Sequence, residues 1–137
     1  MKKLLISVLL ILPFLSCEKK KEEIGQDLVI QAMTSGQWVV TKFILNGTNI
    51  TTDYSEYKFQ YHSNKTVDAI KNGATEKTGT WDGNATAMTT WANFPNATHP
   101  LILLNGTWQI TKNSWTYVEA SQTNGTDVKT FRLDKLP

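Results

Sequence analysis

From Trp38 onward the chain is cut into short runs in which apolar and polar residues alternate, and Asn-Gly pairs or their equivalents separate the runs. Period-two alternation bounded by turn residues is the pattern of half-buried β-strands joined by hairpins. "EYKFQY", Glu56 to Tyr61, is the cleanest run: Tyr57, Phe59 and Tyr61 share one face, and Glu56, Lys58 and Gln60 the other. "WVVTKFIL" (Trp38 to Leu45) ends at Asn46-Gly47, "TVDAIK" (Thr66 to Lys71) at Asn72-Gly73, and "KTGTWD" (Lys77 to Asp82) at Gly83-Asn84. "ATAMTTW" (Ala85 to Trp91) reads as a fifth strand, followed by a loop from Ala92 to Pro100. "LILL", then Asn105-Gly106, then "TWQIT" reads as a strand, a hairpin and a further strand. "SWTYVEA" (Ser114 to Ala120) and "DVKTFRLDKL" (Asp127 to Leu136) complete a set of eight or nine strands.

Tight turns force antiparallel neighbours, because parallel pairs need long crossovers. An open sheet of this size would present unpaired edges, so the chain must close into a barrel or fold into a sandwich. A succession of hairpins without long crossovers favours an up-and-down barrel. The residues from Gln26 to Pro137 make one domain with one core. One helical candidate precedes the strands: "DLVIQAMT", Asp27 to Thr34, expected as one or two turns stopped by Gly36.

The first residues have a different character. Met1-Lys2-Lys3 is a short basic start, and Leu4 to Leu15 is an apolar core too short to span a bilayer as a helix. Ser16 follows, then Cys17, the chain's only cysteine. That is the layout of an export signal. With no second cysteine, no internal disulfide can form, and the core alone must hold the fold. "FLSC", Phe14 to Cys17, resembles the lipobox of bacterial lipoproteins, which prefers Leu where Phe14 stands. The resemblance implies cleavage before Cys17 and lipidation of its thiol and new amino group. It divides the chain into a signal at 1–16, a lipidated cysteine and charged tether at 17–25, and the barrel at 26–137. In the tether, Lys21-Glu22-Glu23 is similar to the acidic signal that sends some Gram-negative lipoproteins to the cell surface. The expected location is therefore the outer membrane, lipid-anchored, with the surface and the inner leaflet both open.

The chain carries 14 Lys+Arg and 12 Asp+Glu, and the loss of Lys2 and Lys3 with the signal leaves the two signs equal. A neutral body without a basic stripe argues against nucleic acid as a partner and against anchoring by anionic lipid attraction. A lipid chain would have to do the anchoring.

"SGQW", Ser35 to Trp38, places a Gly-x-Trp after a short helical turn and at the start of the first strand. This resembles the lipocalin signature, and "GTW" recurs at Gly79 to Trp81 and at Gly106 to Trp108. The resemblance implies that Trp38 closes one end of the barrel under a basic side chain from the last strand. Arg132, the chain's only arginine, is the expected partner. It further implies a small apolar or amphipathic ligand in the barrel. Trp91, Trp115 and Tyr117 are the leading candidates for the pocket wall, with Tyr57 and Phe59 behind them. The chain is short for a lipocalin and shows no long helix after the last strand.

The rival reading is a barrel filled by its own aromatic side chains, acting through its outer face as a structural or interaction module. Catalysis has no evident residues. His62 and His99 are far apart in sequence, and no carboxylates pair. No metal-ligand spacing is present, so neither a metal nor a cofactor is expected. The chain reads as a non-enzyme and a monomer. Seven Asn-x-Thr triplets, at Asn46, Asn49, Asn64, Asn84, Asn96, Asn105 and Asn124, are explained by turn and strand chemistry.

Overall fold

A computed structural model describes residues 25–137. The signal, Cys17 and most of the tether lie outside the described residues. The strands are β1 (Trp38–Leu45), β2 (Thr48–Asn49), β3 (Tyr57–Tyr61), β4 (Thr66–Lys71), β5 (Ala74–Asn84), β6 (Thr89–Asn93), β7 (Gly106–Asn113), β8 (Tyr117–Asn124) and β9 (Asp127–Lys135). Each of β3 to β8 pairs antiparallel with the next, and β9 returns to pair with β1 along most of its length. The result is a closed, up-and-down antiparallel barrel of eight strands, with β2 as a two-residue extra. No sandwich forms.

Local chemistry explains the hairpins. Asn46 and Gly47 both have positive φ, as do Asn72 and Gly73, which is the backbone of the turn that matches strand twist. Period-two alternation then sorts the side chains. Tyr57 and Phe59 of β3, Val67 and Ala69 of β4, and Trp81 of β5 are all buried, while their neighbours in sequence face out. Gly79 is glycine because the Asn93 carbonyl and the Phe94 ring press against it; an added Cβ would meet Phe94 Cδ1 at 2.8 Å.

The seam between β1 and β3 is thin, with one residue pair, Trp38 with Phe59. Further along, β2 and a 3-10 turn (Thr51–Tyr54) fill the gap. Ile50 N–H donates to the Phe43 carbonyl at 2.9 Å, and Phe43 N–H donates to Thr51 Oγ1 at 2.9 Å. The amide and the carbonyl of Phe43 are thereby both satisfied without a full strand beside them.

Three expectations are corrected. Leu101–Leu104 is a 3-10 turn, not a strand, so Asn105-Gly106 leads into β7 rather than forming a hairpin. A run of four apolar residues carries no alternation, and here Leu101 and Leu104 both point into the core. Residues 85–88 form the turn between β5 and β6, because β5 runs on through Gly83-Asn84 before the chain reverses. The helix, α1 (residues 25–34), is longer than one or two turns.

Candidate functional site

The two ends of the barrel are capped differently. One end holds the start of β1, the ends of β3 and β5, and the ends of β7 and β9, and α1 lies across it. Gln26 fastens the helix: its side-chain amide donates to the Gly83 carbonyl, and its Oε1 accepts from Ala85 N–H at 2.9 Å. Trp38 Nε1–H donates to the Met33 carbonyl at 3.0 Å. The opposite end is covered by the two 3-10 turns and the loop between β6 and β7, with Tyr54 hydroxyl donating to the Pro100 carbonyl at 2.8 Å.

Three tryptophans are fully buried, and each gives its indole N–H to a backbone carbonyl. Trp38 serves α1 as above. Trp81 donates to His62 in the β3–β4 turn at 3.0 Å, and Trp108 donates to Leu104 at 2.9 Å. Around them Phe43 stacks on Tyr54 with centroids 5.0 Å apart, and Phe131 meets Trp108 edge-on at 4.6 Å. Near the Trp108 end lies Lys129, 7% exposed, with Nζ donating to the Leu103 carbonyl at 3.0 Å and standing 5.4 Å from the Trp108 ring. Its burial lowers its pKa.

Most of the interior is therefore filled. A cavity of about 70 Å³ remains between α1 and the barrel. Its roof is Val29, Ala32 and Met33, and its walls include Phe59, Tyr61, Trp81, Ala92, Trp108 and Leu133. The walls are mostly apolar, with Thr90, Asn113 and Ser114 as the polar members. Tyr61 sits against Trp81 edge-on at 5.2 Å, and burial pushes its phenol pKa upward, so it stays neutral.

The expected site residues scatter. Phe59 lines the cavity. Trp91 borders it from β6 but stands on the outward register opposite Asp82, and it is 40% exposed. Tyr57 is buried at the other end of β3, near Lys71, with its phenol pKa pushed up to about 12 by burial and by Glu76. The inward placement of Trp115 and Tyr117 is corrected. Trp115 is 52% exposed in the β7–β8 turn. Tyr117 precedes inward Val118 and so faces out, with the Arg132 guanidinium 4.3 Å above its ring.

The Trp38–Arg132 pairing is corrected for the same reason of parity. Trp38 pairs directly with Lys135, whose Nζ lies 5.1 Å from the indole and donates to Ser35 Oγ at 2.8 Å. Arg132 is on the outward register, where Nε and Nη2 donate to the two oxygens of Asp134 at 2.8 and 3.0 Å and Nη1 to Glu119 at 3.1 Å. The main signals for the missed cavity residues were available in the inward sets Gly79/Trp81/Gly83 and Trp108/Ile110.

His62 pairs with Asp68 at 2.8 Å, and Thr78 donates to the same carboxylate at 2.6 Å; His99 pairs with Asp53 at 2.8 Å. The hydrogen bond from Thr78, then that from His62, hold the Asp68 carboxyl below its usual pKa. Among the described residues no group of three or more His, Cys, Asp or Glu is placed to hold a metal ion.

No protein-family model matches the chain, and no curated protein does. A solved structure does: a DUF4847 family protein from Bacteroides vulgatus ATCC 8482, at TM-score 0.55 and 14% identity, covering 80% of this chain and 99% of that one. At that identity the likeness concerns the fold.

Proposed function

We propose that this chain is a lipid-anchored β-barrel of the bacterial cell envelope, lipocalin-like in design, that takes the narrow apolar part of an amphipathic small molecule beneath α1. The observation that carries the reading is the apolar cavity roofed by that helix. Drug-sized ligands occupy pockets of roughly 300–1,000 Å³, and one buried water needs about 10–15 Å³. A space of 70 Å³ suits the end of one alkyl chain or a few waters. A larger guest requires α1 to move aside. Binding would draw on apolar burial, at about 25 cal/mol per Å² before association costs.

The test is a titration of the purified chain with decanoate, followed by its tryptophan fluorescence, to which the wall residues Trp81 and Trp108 contribute. The expected result is a saturable change, at least tenfold weaker in Ala92→Leu, which fills the cavity from β6. No saturable change with decanoate or with other apolar chains would overturn ligand binding. It would favour the second reading, a filled barrel acting through its surface, which the burial of Trp38, Trp81 and Trp108 supports. The anchor is tested separately: a tagged fatty acid should label the wild-type chain and not Cys17→Ala.

A further inference from the structure

The rim of the α1 end carries a second apolar feature, which shares Val29, Ala32 and Ile110 with the cavity lining. Leu28 of α1, Met88 of the β5–β6 turn and Trp115 of the β7–β8 turn are 43%, 37% and 52% exposed. They line one groove of about 300 Å³ with Ala32 and Ile110, and none of the twelve residues lining that groove carries a charge. Exposed apolar clusters of this kind mark interaction surfaces. At the other end the exposed apolar residues are Ile102 and Val128, and Val128 follows Asp127 in β9.

The position of the groove relative to the chain's N-terminal side selects its occupant. Gly25, the first described residue of α1, is itself part of the groove lining. Cys17 lies eight residues upstream, at most about 28 Å of extended chain. A lipid on Cys17 would therefore hold this end against the bilayer. Tryptophan beside uncharged apolar side chains is the composition of membrane interfaces.

We propose that Leu28, Met88 and Trp115 form a membrane-contact rim, which seats the α1 end of the barrel on the lipid surface. This inference rests on the lipid-anchor reading. The cavity roof then faces the bilayer, so an amphipathic ligand would reach it from lipid rather than from water.

The full chain, extracted from membranes and reconstituted in phosphatidylcholine–phosphatidylethanolamine vesicles, tests this with acyl chains brominated near the headgroup. Bromolipid should quench wild-type tryptophan fluorescence. Trp115→Phe should lose most of that quenching, Met88→Glu should reduce it, and Trp91→Phe, on the side wall, should keep it. Equal quenching in wild type and Trp115→Phe overturns the rim, as does no quenching at all. A groove that faces a protein partner gives the latter result in these protein-free vesicles. The intact mass of the same samples reports the anchor independently. A mass without lipid on Cys17 overturns the anchor reading and, with it, the rim that rests on it, whereas a lipidated chain without quenching overturns the rim alone.

Discussion

The α1 cap and the 3-10 cap close the same barrel with unequal grip. No residue of α1 is fully buried; Ile30 and Met33 only lean on the core. The opposite cap sinks Tyr54, Leu101 and Leu104 into the core, with Phe94 and Ala97 from the adjoining loop. Local stability follows buried apolar contact, so α1 belongs among the segments that open first and the 3-10 turns open with the whole barrel. The apolar rim lies at the weakly held end, and the cavity runs from beneath α1 down to Phe94 and Leu104 of the firm cap. A binding protein needs one end that yields and a frame that does not, and the chain divides these tasks between its two caps.

The largest effect should come from the strongly held end. Trp108→Ala removes a ring packed on Phe43 and Phe131 and frees the Leu104 carbonyl. It should cost about 3–5 kcal/mol in urea denaturation. A loss that small cavities elsewhere produce, below about 1 kcal/mol, would break the comparison at once. Next comes Gly79→Val, which drives methyl groups into Phe94 beside the same cap. About 1–3 kcal/mol of global stability should be lost.

Gln26→Ala acts on the weak end. It removes the two hydrogen bonds that tie α1 to β5 and its turn. The helix should open about tenfold more often, which corresponds to about 1.4 kcal/mol, with global stability nearly unchanged. Amide exchange of α1 against that of β8 reads the difference. If both speed up together, the helix is part of the global unit and the contrast is lost.

The smallest effect is acid-linked. Asp68 has a folded-state pKa below the ordinary carboxylate value, held there by Thr78 and His62. Its contribution is complete above the unfolded pKa, near 4, and fades as pH falls through the folded one. Asp68→Asn should therefore be slightly less stable at neutral pH, and the difference from wild type should vanish in acid. A difference that grows in acid would contradict the sign.

Much of this architecture was legible in the residues. Tyr57, Phe59 and Tyr61 announced β3, and the Asn-Gly pairs at 46–47 and 72–73 announced their turns. What failed was parity and packing. Arg132 stands three residues before Lys135, and in a strand an odd offset puts two side chains on opposite faces. The resemblance to a known signature named a basic partner for Trp38 but not its register. Leu101–Leu104 looked like a strand because four apolar residues in a row fit a buried strand or a buried turn equally well. Trp115 looked like a wall residue because aromatic content alone does not separate a hairpin tip from a strand face. The roof of the cavity was unreadable for another reason. Val29, Ala32 and Met33 form a face only once α1 has docked.

Exchange of the indole N–H protons, followed by NMR, tests the unequal caps most directly. Trp38 donates across to α1, and Trp108 donates to the 3-10 turn. The Trp38 proton should exchange with solvent at least tenfold faster than the Trp108 proton. Equal rates, or a faster Trp108, would contradict the account.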